Sequence, residues 1–197
     1  MNKAVRSVGS GFMEIGSDNM DVPVAVEMDG AVDLDEAVIV ALGCNDKGAW
    51  RDCREALEAA LARFRAEGVD VVMRSSWWRS AAWPDADDPP FLNGVVIVRT
   101  DHEPHALMAA LGRIEEAFGR RRGLRNAPRT LDLDLIAYGR LSGDLDGLIL
   151  PHPRAAERKF VMGPLAEIAP GWLHPGGGTA EALSAAATVG QDATVAG

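Results

Sequence analysis

The stretch Asn126-Ala127-Pro128-Arg129-Thr130-Leu131-Asp132-Leu133-Asp134-Leu135 decides how the rest of the chain is read. It predicts a loop that feeds a buried strand. Pro128 biases Ala127 away from helical backbone angles. Leu131, Leu133 and Leu135 then alternate with Asp132 and Asp134, which places the leucines on one face and the aspartates on the other. Two strand residues advance roughly 6.5 Å. Two like charges at about 6 Å repel by roughly 2–3 kcal/mol at an effective dielectric near 20. A bound cation offsets such repulsion, and Mg²⁺ prefers one or two carboxylates together with substrate phosphates. The simpler alternative is a solvated outer face of an edge strand. Arg120, Arg121, Arg122, Arg125 and Arg129 lie just upstream, and arginines beside carboxylates suit a phosphate chain bridged by metal.

Upstream of this strand the pattern is regular. Ala37 to Leu42 is a short apolar run that ends in the turn Gly43-Cys44-Asn45. Trp50, Cys53, Leu57, Ala60, Leu61 and Phe64 recur at helical spacing, and Gly68 stops that helix. Val69, Val71, Met73, Ser75 and Trp77 alternate as in a strand, with Trp77 and Trp78 on opposite faces. A loop rich in proline and aspartate covers 80–90, and a β-branched strand covers Gly94 to Thr100. Pro104 opens a helix whose buried stripe is Leu107, Met108, Leu111, Ile114 and Phe118, with Gly119 at its end.

The order strand, helix, strand, strand, helix, strand predicts an α+β fold. It is the ferredoxin-like βαββαβ core, an antiparallel four-stranded sheet with helices packed on one face. Leu148-Ile149-Leu150 adds a candidate strand, and Arg154–Met162 and Thr179–Ala187 read as short helices. The expected organisation is an acidic, disordered leader over 1–35, a folded domain over 36–175, and a short helix with a frayed tail over 176–197.

Composition narrows the function. The net charge is −9, and residues 1–36 alone carry eight acids against two bases. That balance argues against a general nucleic-acid binder. No run approaches the roughly 20 apolar residues of a membrane span, and the N-terminus lacks the apolar core of a signal peptide. The expected location is cytoplasmic, with no membrane partner. Cys44 and Cys53 have no metal-ligand spacing, and none of His102, His105, His152 and His174 pairs at helical ligand spacing. Reduced thiols are therefore expected. Gly176-Gly177-Gly178 lacks the Lys-Ser/Thr of a phosphate-binding loop.

With these pieces in order, the sequence resembles the 6-hydroxymethyl-7,8-dihydropterin pyrophosphokinases of folate synthesis. The likeness runs from about Val38 to Pro170. It rests on Ala41-Leu42-Gly43-Cys44-Asn45, Ser75-Ser76-Trp77-Trp78-Arg79-Ser80, Phe91-Leu92-Asn93-Gly94, Pro128 to Asp134, Pro151-His152-Pro153, and Pro164-Leu165-Ala166-Glu167-Ile168-Ala169-Pro170. The resemblance implies transfer of the terminal diphosphate of ATP to a pterin hydroxymethyl group, with AMP released. It implies two Mg²⁺ ions on Asp132 and Asp134, and catalytic arginines at Arg120, Arg122 and Arg129. Glu115, Leu135, His152 and Arg158, with Arg129, match nucleotide-side positions. Gly43, Ser80, Ala81, Trp83, Phe91, Asn93 and Phe160 match the pterin pocket, the two phenylalanines as a sandwich around a flat ring. The implied partners are these small molecules, with no obligatory protein partner.

The chain departs from the family pattern at Pro153, where an aromatic is frequent, and at Asn126, where some members carry tryptophan. Ser80-Ala81-Ala82-Trp83-Pro84 stands in place of a Thr-Pro-Pro type sequence, and the 119–128 loop is shorter by about one residue. Two other readings of the residues stay open. One is a ferredoxin-like module that binds a small molecule without chemistry. The other is a metal-dependent phosphotransferase acting on nucleic acid.

Overall fold

A computed structural model describes residues 32–82, 88–119 and 129–197. Trp83, Arg120, Arg122 and Asn126, and nearly all of the expected leader, lie outside the described residues.

Seven apolar or small residues form the central strand β1, Val38–Cys44, and all seven are buried. The chain turns at Asn45 and enters α1, Cys53–Phe64. Asp52 caps this helix by accepting the Glu55 N–H at 2.8 Å. A short 3₁₀ turn ends at Gly68, whose φ of 75° is the left-handed conformation glycine tolerates. Strands β2, Val69–Arg74, and β3, Trp78–Ser80, then pair with the long strand β4, Phe91–Thr100. Helix α2 is Pro104–Ala117, and β5, Asp132–Tyr138, returns beside β1. The sheet order is β5-β1-β4-β3, with β2 also on β4, and the pairings are antiparallel.

The period-two reading of β5 fixes which face is which. Leu133 and Leu135 sit opposite Leu42 and Val40, and they join α1 and α2 in one core with Leu57, Phe64, Leu111 and Ile114. Asp132 and Asp134 sit opposite Gly43 and Ala41, on the other face. That second face is covered by α3, Lys159–Ile168, and α4, Ala180–Ala186. The expectation of helices on one face therefore holds for α1 and α2 only. Ile39, Ile97 and Ile136 point away from them and need their own apolar cover.

Several local expectations are revised. The alternation through β2 breaks between Val71 and Met73, where the register shifts. Val71 packs toward α1 and α2, and Met73 toward α3. Trp77 and Trp78 do face opposite ways. Trp77 is 1 % exposed with its indole N–H on Glu58 Oε1. Trp78 donates to Glu167 Oε2, and the other oxygen of that carboxylate accepts from the Ser76 N–H and hydroxyl. Leu148–Leu150 is a strand, β7, in a separate hairpin with β6, Gly143–Leu145.

Two expectations are overturned. Cys44 and Cys53 form a disulfide rather than two thiols, because the turn after β1 brings the first turn of α1 back to the strand end. The last residues are not frayed. Strand β8, Thr194–Val195, pairs with β3, and Ala196 N–H donates to the Trp77 carbonyl. Unpaired β3 backbone supplies the tail with partners that its own side chains do not advertise. No helix among the described residues is long and apolar enough to cross a membrane.

Candidate functional site

One row of residues runs across the sheet on the α3 face. Asp132 on β5 is opposite Gly43 on β1, Gly43 is opposite Asn93 on β4, and Asn93 is opposite Trp78 on β3. Adjacent strands lie about 4.8 Å apart, so the carboxylate end and the amide end are separated by roughly 10 Å. Gly43 keeps the floor between them low. A Cβ there would stand 3.5 Å from Asn93 Oδ1, 3.6 Å from the Phe91 ring and 3.9 Å from Asp132 Cβ. Above this row is a cavity of about 200 Å³.

The amide end is aromatic and neutral. Phe91 and Phe160 both line it. Asn93 is buried, and its Nδ2 donates to Ser80 Oγ at 3.0 Å. Ala81 N–H is held by Asp192 Oδ2 from the tail, and Val189 of the tail joins the wall. Phe160 lies under Gly190, where any Cβ would collide with the ring.

The carboxylate end is ionic. Arg129 lies 2.6 Å from Asp132 Oδ2, and Arg158 lies 3.9 Å from Asp134 Oδ2. The Arg158 guanidinium also sits 5.8 Å from the Phe160 ring centroid, so it borders both ends. Burial lowers the Arg158 pKa, with Asp134 opposing the shift. Arg129 is positioned by Asn45. Asn45 Oδ1 accepts the Arg129 N–H at 2.8 Å, and Arg129 O accepts the N–H groups of Asn45 and Asp46. Asn45 Nδ2 also donates to Pro89 O.

His152 stands beside this end without lining the cavity. Its N–H donates to Ile136 O, and its Nδ1 accepts the Arg154 N–H at 3.2 Å. That second bond requires a ring with Nδ1 unprotonated. Burial lowers its pKa, the Asp134 carboxylate opposes this, and Arg158 and Arg154 reinforce it.

The structure thus brings Gly43, Ser80, Ala81, Phe91, Asn93, Arg129, Asp132, Asp134, Arg158 and Phe160 to one cavity. Two expected residues point elsewhere. Leu135 is 3 % exposed in the core under α1 and α2. Glu115 is 7 % exposed, and its Oε1 accepts the Leu133 N–H at 2.8 Å, between the two aspartates but behind them. Sequence reasoning did not assign Asn45, Asp88, Arg154 or Val189 to the site, yet all four line the cavity. Arg154 was marked by its place next to Pro151-His152-Pro153 and Asn45 by its place at a strand end. Val189 carried no signal.

The donor set suits a hard cation. Asp132 and Asp134 project to the same face two residues apart and line the same cavity. Among the described residues no group of three or more His, Cys, Asp or Glu gathers around a point. An ion held here takes its remaining oxygens from a ligand and from water, as Mg²⁺ does with phosphates.

Fold and cavity define an α+β domain with a small-molecule cavity that is ionic at one end and aromatic at the other. The family model for 7,8-dihydro-6-hydroxymethylpterin-pyrophosphokinase (HPPK) matches residues 39–170, and the chain belongs to this family. Relatives named 2-amino-4-hydroxy-6-hydroxymethyldihydropteridine pyrophosphokinase include one from Synechocystis and one from Pseudomonas aeruginosa. The first is 43 % identical over 62 % of this chain and 63 % of its own length. The second is 41 % identical over 72 % of this chain and 86 % of its own length. A mitochondrial folate synthesis bifunctional protein from Pisum sativum is 40 % identical over 68 % of this chain, which spans 25 % of that relative. Among solved structures, Plasmodium falciparum HPPK-DHPS with pteroate superposes with a TM-score of 0.61. It covers 76 % of this chain and 44 % of its own at 13 % identity, a likeness of fold.

Proposed function

We propose that the protein transfers the diphosphate of ATP to the hydroxymethyl group of 6-hydroxymethyl-7,8-dihydropterin, giving AMP and the pterin diphosphate. The core then counts as ferredoxin-like, with α3, α4 and the tail added on the second face. The observation that carries this reading is the row Asp132–Gly43–Asn93, ionic at one end and flat at the other. The pterin ring lies between Phe91 and Phe160, with Asn93 reading its polar edge. Gly43 lets the ring approach the sheet, and Ser80 and Ala81 close that side; the family resemblance alone assigns Trp83 to the pterin.

Asp132 and Asp134 would hold two Mg²⁺ ions. A metal held by these two carboxylates would supply positive charge that offsets the charge moving onto AMP. Arg129 and Arg158 orient the phosphate chain, and the family resemblance alone adds Arg120 and Arg122 to that role. His152 serves the nucleotide side as a neutral ring. Glu115 supports β5 from behind rather than touching nucleotide, and any contact from Leu135 runs through its main chain. The pterin oxygen bonds to the β-phosphorus as the bond from that phosphorus to the AMP oxygen breaks. Alignment and fixed charge supply most of the rate, and no covalent enzyme intermediate is required.

We infer a cytoplasmic setting with small-molecule partners only, although the pea relative is named as mitochondrial. The test is incubation with ATP, Mg²⁺ and the pterin, with the adenine nucleotide resolved by chromatography. Pterin-dependent AMP, abolished in Asp134→Ala with folding intact, is the expected result. ADP as product overturns diphosphate transfer, and Mg²⁺-independent pterin binding without turnover supports a binding module.

A further inference from the structure

Cys44 and Cys53 bracket the turn on which Arg129 rests. Cys44 is fully buried between Gly43 and Asn45, and both of these neighbours line the cavity. Cys53 opens α1 and is only partly buried. Their Cα atoms are 5.6 Å apart, a spacing that a disulfide bridges without moving the backbone. Between them, Asn45 and Asp46 make three hydrogen bonds to the Arg129 backbone. Gly48, at a φ of 53°, packs so closely on Thr130 that a Cβ would stand 3.2 Å from its side chain. The turn is therefore the seat for the chain just ahead of Asp132, and the sulfur bridge ties both ends of that seat.

The reduced pair also has a place to go. Cys44 Sγ lies 3.5 Å from the Asp46 carbonyl oxygen, so a thiol formed there finds an acceptor without rearrangement. Cys53 is the reachable sulfur for an incoming thiol.

We propose that Cys44 and Cys53 are a reversible thiol–disulfide modification site, closed to hold the Asn45–Asp52 turn and with it Arg129, and opened by a small thiol such as glutathione. The thiolate of that thiol attacks Cys53 Sγ. The sulfur–sulfur bond breaks, and its electron pair leaves on Cys44 Sγ, which takes a proton. A second thiol displaces the mixed disulfide, giving the Cys53 thiol and one oxidised thiol dimer. Two electrons and two protons reach the protein, and the reverse reaction closes it. The consequence for nucleotide rests on the phosphate role proposed above for Arg129. The movement of the turn does not.

The experiment equilibrates the full chain in glutathione buffers and counts free thiols by alkylation and mass spectrometry. Hydrogen exchange over 45–52 and 129–130 is then read in each redox state, and the affinity for Mg²⁺ with a nonhydrolysable ATP analogue is measured alongside. The expected result is two thiols titrating together, at least tenfold faster exchange in both segments on reduction, and a three- to tenfold weaker analogue. Cys53→Ser should match the reduced wild type and ignore dithiothreitol. Two free thiols in every buffer, or equal exchange in both states, overturns the proposal. Faster exchange on reduction with no analogue binding in either state supports the redox site and instead overturns the phosphate role of Arg129.

Discussion

The Arg129 guanidinium sits 2.6 Å from Asp132 Oδ2, three residues along the chain. An arginine this close neutralises a carboxylate that otherwise faces Asp134 across two strand residues. It also competes with any cation for the same oxygen. On the function proposed above, Arg129 would turn from Asp132 toward phosphate as a loaded nucleotide enters. Arg129→Ala should bind Mg²⁺ alone about fivefold more tightly, since a partly exposed ion pair contributes roughly 1 kcal/mol. The same variant should lose a hundredfold or more in turnover, because a positioned charge at the reacting phosphate is gone. Calorimetry with Mg²⁺ and an AMP-formation assay read the two effects. Unchanged Mg²⁺ binding would show that the pair does not guard the metal site.

The His152 imidazole has a sign that can be worked out. Burial lowers its pKa below 6.5 in the fold, Asp134 opposes, and Arg158 and Arg154 reinforce. The unfolded chain thus takes up a proton first as pH falls. His152 contributes nothing above pH 6.5. It lowers stability from there down to its folded pKa, below which the loss is complete. His174, also lowered by burial, adds to the trend. His152→Asn keeps an acceptor for the Arg154 N–H and should lose less stability between pH 7 and 5 than the wild type. An imidazole resonance of His152 titrating at or above 6.5 would refute the argument.

Strand β5 was legible because its two faces differ in kind, leucines against aspartates, and period two then separated the faces; its pairing with β1, which shifts register between Ile39 and Val40, was not legible. Helix α2 was legible from Leu107, Leu111, Ile114 and Phe118 at helical spacing. The tail was not, because both residues of β8 are exposed and they pair through backbone, which writes no pattern in the side chains. The register shift at Val71 and Met73 was hidden for a related reason: the β-branched run reads the same with or without an inserted residue. At the site, Asn45, Asp88 and Arg154 were missed along with apolar Val189, because only the folded turn and loops bring them to the cavity. Glu115 was placed near the nucleotide, but its helix turns the carboxylate under β5, onto the Leu133 N–H. The disulfide needed the geometry of the turn, since a spacing of nine residues does not distinguish a bridge from two thiols.

Gly94 is a strand glycine with a packing reason. A Cβ there would stand 2.6 Å from the Trp77 ring, and Trp77 cannot swing aside while its indole N–H is held by Glu58 at 2.9 Å. Overpacking of this kind costs about 1–3 kcal/mol. Gly94→Ala should lower the unfolding free energy by about 1–3 kcal/mol, read as a lower urea midpoint at an unchanged slope, with a shift in tryptophan emission. A stability equal to the wild type would mean that β4 can move away from the ring.

Asp192 links the end of the chain to the flat end of the cavity. Its Oδ2 accepts the Ala81 N–H, and the neighbouring residues fix it there. Ala193 is 3 % exposed and its N–H donates to Gly190 O, and Gly190 lies on the Phe160 ring. One carboxylate therefore holds the loop at Ser80 and Ala81 against the wall that Phe160 and Val189 complete. A hydrogen bond to a charged acceptor contributes roughly 1.5–3 kcal/mol when shielded, and about 1 kcal/mol at this exposed position is a fair expectation. Asp192→Ala should weaken pterin binding about fivefold. Binding of an ATP analogue should stay within twofold, since Arg129, Asp132 and Asp134 lie at the other end of the row. Calorimetry with each ligand separates the two. Equal losses for both would show that the tail supports the whole sheet edge rather than the pterin end.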